Sequence, residues 1–258
     1  MPKKVVIIGA GNVAFHLTEA MLQNTVNVVQ IFNRTLDNAR KLAGKYNISF
    51  TDKISELERA NVYIICTSDK AISEISCHIP FEDCLVVHTS GSMPISALKG
   101  KYRKGGFYPF QTFSKKRALK YDKIPFFIET ENREDELTLF TLARRISGEV
   151  YKTDYEKRLQ IHMSGVWVNN FTNHLYHIAH EICEKHNISF DNLKPLIKES
   201  ADKIIEGISP FEAQTGPAKR NDKHVVEKHL SLLEPDSRLY QIYSLITDSI
   251  TKTYHDKL

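Results

Sequence analysis

The chain has 258 residues, which suits one large domain or two modest ones. With 41% hydrophobic and 26% charged residues it reads as an ordinary globular protein, and a net charge of +4 built from interleaved bases and acids argues against nucleic acid as a partner. No apolar run approaches the roughly 18 residues of a membrane span, and the chain enters a strand at once, with no room for a secretory leader. Cys66, Cys77, Cys84 and Cys183 lack C-x-x-C spacing and read as reduced core thiols of a cytoplasmic protein, with no metal site expected.

Residues 3–8 form a predicted strand that runs into Gly9-Ala10-Gly11-Asn12-Val13-Ala14 and then a helix to about residue 22. This is the G-x-G-x-x-A form of the dinucleotide fingerprint in its required strand-turn-helix setting. Gly9 permits the tight turn, and Gly11 lets backbone approach a diphosphate. Ala14 keeps helix and strand close, and the free N–H groups at the helix start, at Asn12 and Val13, bind the anion. The second strand, residues 27–32, ends in Asn33-Arg34-Thr35. An NAD site usually carries an acid here, which would repel a 2′-phosphate; a guanidinium grips one. Asn33 and Arg34 therefore predict NADP(H), with Thr35 as a helix cap. The alternative for Arg34 is a solvated surface residue.

Further strands are predicted at 48–50, 61–66, 84–88, 106–110, 125–129 and 149–152, with helices at 36–46, 54–58, 70–77 and 134–147. Alternation of this kind predicts a doubly wound parallel Rossmann sheet over residues 1–153. Residues 154–258 show no strand pattern and predict an all-helical domain for substrate contact and dimerisation, the dimer by analogy of fold. Its helices are expected at 155–186, from an Asp191 cap to Gly207, at 222–233 and at 237–254, with a connector at 210–217.

Three loops end strands where a nicotinamide should lie. In Cys66-Thr67-Ser68-Asp69, the residues Thr67, Ser68 and Asp69 would meet the cofactor's ribose; Asp69 could equally cap a helix. In His88-Thr89-Ser90-Gly91-Ser92, Ser90 or Ser92 could bond a substrate carboxylate or carbonyl, against an ordinary Ser/Gly turn with His88 in the core. In the segment from Phe107 to Phe113, Tyr108 could be a general acid and Gln111 a substrate donor, against plain aromatic core.

At about 100° per residue, His162, Asn169 and Asn173 align on one side of the long helix. As the wall of a polar cleft, His162 would move a proton, Asn169 would orient the reacting group and Asn173 would touch substrate. The alternative is a solvated face, with Ile161, Val168, Leu175 and Ile178 on the apolar side. Asn170, His174 and His177 are expected to point elsewhere. Finally, Thr215-Gly216-Pro217-Ala218-Lys219-Arg220-Asn221-Asp222 presents Arg220, suited to a carboxylate, and Asp222 as a cap; a structural turn competes.

Together G-A-G-N-V-A, N-R-T, H-T-S-G-S, F-Y-P-F-Q-T-F, N-N-F-T-N-H and T-G-P-A-K-R-N-D resemble a family of candidate NADP oxidoreductases with a Rossmann-like domain and a helical C-terminal domain. The likeness spans nearly the whole chain and extends distantly to pyrroline-carboxylate reductase and 6-phosphogluconate dehydrogenase-like enzymes. It implies NADP(H), hydride transfer and a helical dimer interface. In many members a His stands where this chain has Tyr108, so here Tyr108 replaces that chemistry or His162 carries it. The expectation is an NADP(H)-dependent oxidoreductase acting on a small imine or carbonyl substrate that bears a carboxylate. The alternative is a catalytically silent NADP(H)-binding sensor or scaffold dimer; a methyltransferase would want an acid at Asn33-Arg34.

Overall fold

The computed structural model describes residues 3–255. Strands β1 (Lys4–Ile8), β2 (Asn27–Phe32), β3 (Ser49–Thr51), β4 (Val62–Ile65), β5 (Leu85–His88), β6 (Arg103–Pro109), β7 (Phe126–Thr130) and β8 (Val150–Lys152) form one sheet in the order β3-β2-β1-β4-β5-β6-β7-β8. Each strand expected from the sequence is present. All pairs are parallel except β6 with β7, which corrects the wholly parallel sheet expected. Residues 110–125 contain no helix to carry the chain back, so β7 must turn and run the opposite way.

Helices α1 (Asn12–Gln23), α2 (Leu36–Gly44), α3 (Asp69–Ser76) and α4 (Arg133–Arg144) cover both faces. Alternation along β1 assigns them. Val5 and Ile7 join the core containing Leu17 and Met21 of α1, Leu42 of α2 and Leu139 of α4. Val6 and Ile8 join the core containing Ile72 and Ile75 of α3. β4 and β5 are buried along their length, as strands covered on both faces must be. The chain runs outward from β1 to β3 and then returns to place β4 on the other side of β1. The carboxyl ends of β1 and β4 therefore flank the reversal of strand order, where open α/β sheets bind ligands.

Contacts divide the chain into two compact units, Met1–Leu175 and Tyr176–Leu258. The sheet ends at Lys152 and α5 (Tyr155–Gly165) begins just past the boundary expected at residue 153. The contact division falls later because α5 is fastened to the sheet by Arg158 and His162. After α5 comes a π-helical turn, Val166–Phe171, and then α6 (Thr172–Lys185), so the expected long helix is not uniformly α-helical. The remaining helices are α7 (Lys194–Ile205), α8 (Pro210–Ala213), α9 (Lys223–Leu230) and α10 (Arg238–His255). α8 occupies the expected connector, held by a capping box of Ser209 and Glu212. Asp222 caps α9 as expected, whereas Asp191 caps nothing: Ser189 accepts the Asp191 N–H ahead of a short 3-10 turn. No described helix is long and apolar enough to cross a membrane. Cys66, Cys84 and Cys183 are buried, but Cys77 is exposed, against the expected core position.

Candidate functional site

β1 ends at the glycine turn. Gly9 has φ +125°, and a Cβ there would lie 2.5 Å from the Cys66 carbonyl at the end of β4, so the fold itself demands glycine. Gly11 differs: its φ is −76° and a Cβ would meet nothing within 4 Å. Nothing in the chain's own packing requires glycine at 11, whereas a diphosphate lying against the backbone would. Gly11 is also the N-cap of α1, with no side chain capping the helix and no acid in its first turn. The first N–H groups of α1 are thus left to an anion. Ala14 is fully buried against β1, as expected.

A cleft of about 430 Å³ opens at this turn. It is lined by Gly9, Gly11, Asn12 and Val13, by Asn33 and Arg34 at the end of β2, and by Thr67 and Ser68 at the end of β4. Three expected residues stay out of its wall: Ala14, Thr35 and Asp69. Asn38 of α2 lines it without having been expected. Asn33 donates through Nδ2 to the Thr35 carbonyl at 3.0 Å and shapes the bend that carries exposed Arg34. Thr35 holds the N-cap position of α2, but its side chain makes no capping bond.

A second cavity of about 350 Å³ lies between the end of β6 and the helical stretch after β8. Its wall includes Tyr108, Gln111, His162 and Asn169, all expected, together with Phe110 and Asn170. Tyr108 Oη is 3.1 Å from His162 Nδ1. Burial pushes the Tyr108 phenol up to about 12, despite the nearby Arg158 cation. Asn170 was expected to point away and instead faces the cavity, while Asn173 is exposed and absent from this wall. The reason is the π-helical turn, whose extra residue breaks the stripe drawn at about 100° per residue.

The loop after β5 joins cleft and cavity. Ser92 Oγ donates to Asp69, the residue after Thr67-Ser68. Gly91 supports the Tyr108–His162 pair: a Cβ there would lie 2.7 Å from the His162 ring and 2.8 Å from Tyr108 Cζ. Glycine at 91 therefore admits these two rings, not a ligand as such. Ser90 Oγ accepts the N–H groups of Ser92 and Met93, both at 3.1 Å, so its hydroxyl shapes the loop. His88 is wholly buried, accepts the Ser90 N–H through Nδ1, and is held down to about 4 by burial and then by the Arg158 charge.

Arg158 was not expected. It is completely buried and donates to the carbonyls of Ser90 (2.7 Å) and Met93 (2.8 Å) and to Glu129 Oε2 (2.6 Å). One guanidinium thus ties α5, the β5 loop and β7 together behind the cavity. In sequence it looks like any solvated helix base, and no local signal separates it from its neighbours. Arg220 is exposed and belongs to the second unit.

Comparison with known proteins places these features in context. The pattern of the domain of unknown function DUF2520 matches residues 124–250, and that of shikimate/quinate 5-dehydrogenase matches residues 1–78. The chain is similar to the candidate NADP oxidoreductase BF3122 of Bacteroides fragilis, with 39% identity over 97% of this chain and 98% of that one and a TM-score of 0.90. It shares its fold with a pyrroline-5-carboxylate reductase of Coxiella burnetii (15% identity, 98% and 93% of the two chains, TM-score 0.59). It shares it too with an imine reductase of Myxococcus stipitatus in complex with NADP+ (11% identity, 98% and 93%, TM-score 0.65).

Proposed function

From a chain that belongs to the family of the Bacteroides fragilis candidate NADP oxidoreductase, we propose an NADP(H)-dependent oxidoreductase that reduces a small, carboxylate-bearing imine or carbonyl compound, or runs the reverse. The observation that carries this reading is Gly11, a residue without a side chain that leaves the backbone open to a ligand at the start of an uncapped helix at the sheet's switch point. The residues fit the coenzyme: Gly9 to Val13 would hold its diphosphate, Arg34 its 2′-phosphate, and Thr67 and Ser68 its ribose. When bound, the coenzyme supplies or accepts the hydride.

The chain's own part is to orient the substrate and to manage one proton. The Tyr108 phenol, protonated at neutral pH as phenols ordinarily are and pushed further up by burial, is the hydrogen-bond donor to the substrate. His162, half-buried, is hydrogen-bonded to the same phenol and returns the proton from solvent. Gln111, Asn169 and Asn170 offer amides to the substrate's reacting group, and Phe110 excludes water. Ser90, a candidate for chemistry on sequence grounds, serves the loop in this reading, and Ser92 serves Asp69. Asn173, expected to touch substrate, stays outside the cavity wall and takes no part in this reading. Exposed Arg220 of the second unit is, as its chemistry suggests, suited to a carboxylate.

We also propose a homodimer through the helical half. In the second unit the described buried apolar residues are only Cys183 and Ala218, while Leu196, Ile205, Phe211, Leu232 and Leu245 are exposed. So much apolar surface fits a partner of the same chain; light scattering on the purified protein measures it.

The coenzyme assignment is tested by titrating the protein with NADPH and NADH. NADPH is expected to bind at least about tenfold tighter, and Arg34→Asp to abolish that preference. Equal binding, or a preference that survives Arg34→Asp, removes the assignment. NADPH binding without oxidation across a panel of imines and keto acids favours a silent sensor.

A further inference from the structure

The connection between β6 and β7 is a long loop, residues 110–125, that is strongly basic: Lys115, Lys116, Arg117, Lys120 and Lys123 against Asp122 alone. It is not free over the surface. The Ser114 carbonyl accepts from His16 Nε2 of α1 at 2.9 Å, and His16 Nδ1 is 2.9 Å from Tyr121 Oη at the loop's far side. Tyr121 in turn donates to Glu19 Oε2 at 2.9 Å, and Glu19 Oε1 accepts from Lys45 and Tyr46. His16 is buried, with the Phe113 ring 5.4 Å away. Both flanks of the basic stretch are therefore pinned to α1, within two turns of the glycine turn.

From this anchored stretch Lys115 reaches back. Its Nζ donates to the carbonyl of Ala10, the middle residue of the glycine turn, at 2.7 Å. Among the described residues it forms no ion pair with an acid. An ammonium carries three donors and no acceptor, and one carbonyl uses only one of them. Holding a lysine side chain in one place costs rotamer freedom, which one part-buried bond to a carbonyl at best offsets. An anion beside the same turn would recover it.

We infer that Lys115, held at the Ala10 carbonyl of the glycine turn, is a ligand of the coenzyme's diphosphate, and that the His16–Tyr121–Glu19 tie positions it. The inference rests on the dinucleotide reading above and adds a residue and a loop that the glycine fingerprint does not contain. It separates two kinds of phosphate recognition: Arg34 meets the group that only NADPH carries, whereas Lys115 meets the group both coenzymes share.

The test is a calorimetric titration of the full chain with NADPH and with NADH, for the wild type, Lys115→Gln and Lys115→Arg, beside thermal melts of each. Lys115→Gln is expected to weaken both coenzymes by about tenfold and equally, with melting unchanged, and Lys115→Arg to recover most of the affinity. Tyr121→Phe is expected to weaken both coenzymes in the wild-type background and to have no further effect once Lys115 is Gln. Unchanged affinities in Lys115→Gln, or a loss confined to NADPH, overturn the assignment of Lys115. Additive losses in the double variant overturn the positioning role of the tie. A wild type that binds neither coenzyme overturns the dinucleotide reading itself, a result distinct from a wild type that binds both while Lys115→Gln binds them equally well.

Discussion

Tyr108 Oη stands 3.1 Å from His162 Nδ1, and the two rings rest on a glycine that no larger residue could replace without moving them. If this pair carries the proton, Tyr108→Phe and His162→Ala should each lower kcat by roughly a hundredfold or more while the dissociation constant of NADPH stays within about twofold. Gly91→Ala should lower kcat similarly by displacing both rings. Stopped-flow turnover and coenzyme titration measure the two effects separately. Full activity in Tyr108→Phe and His162→Ala alike would remove the pair from the chemistry.

The two glycines of the turn should fail in different ways. Gly9→Ala places a Cβ against the Cys66 carbonyl in a backbone region that disfavours side chains, so destabilisation of roughly 2 kcal/mol or more is expected. Gly11→Ala meets no atom of the chain and should cost no more than the roughly 1 kcal/mol that separates Ala from Gly at an N-cap, yet lose most coenzyme affinity. Thermal unfolding beside titration of both variants decides it; Gly11→Ala that binds NADPH normally would mean that no ligand lies against that backbone.

Arg158→Met should be among the most damaging single changes in the first unit. It leaves Glu129 without its buried partner and the Ser90 and Met93 carbonyls without their donor. Breaking a buried pair from one side costs about 3–5 kcal/mol. Chemical denaturation reads the loss; a cost below about 1 kcal/mol would mean that the tie is not structural.

Stability should fall on mild acidification through His88. Its imidazole takes a proton near pH 6.5 when unfolded but only at about 4 in the buried site. Between those values the unfolded chain binds more protons than the folded one, so stability present above about pH 6.5 is lost as pH falls toward 4, by at most about 3 kcal/mol. His88→Gln should flatten that part of the pH profile of urea unfolding. An identical slope in wild type and variant would assign the effect to other groups.

Much of this architecture is local in origin. Val5 to Ile8 and Val62 to Ile65 read as buried strands because each run is wholly apolar and is followed by a turn. Gly9 and Ala14 could be assigned roles because a strand, a turn and a helix lie within a dozen neighbouring residues. Gly9 to Val13 of the cleft wall were legible for the same reason, whereas Asn33, Arg34, Thr67 and Ser68 join them only because β2 and β4 both pair with β1 and end at the same edge of the sheet. The antiparallel β7 was not, because direction depends on what the chain does between strands. Asn170 and Asn173 exchanged their expected places because the widening of one helical turn leaves no mark in side-chain periodicity.

From its residues alone this chain determines its strands, the glycine turn between β1 and α1, and the Asn33-Arg34 pair on which the proposed NADP(H) preference rests. Those features are set by contacts between near neighbours, which periodicity and turn chemistry report directly. Only the tertiary structure could bring Lys115 to Ala10 across 105 positions, or Arg158 to Ser90 across 68. A long charged side chain reads as solvated until folding shows which carbonyl or carboxylate it reaches, and burial then turns an ordinary surface base into the fastening of a site.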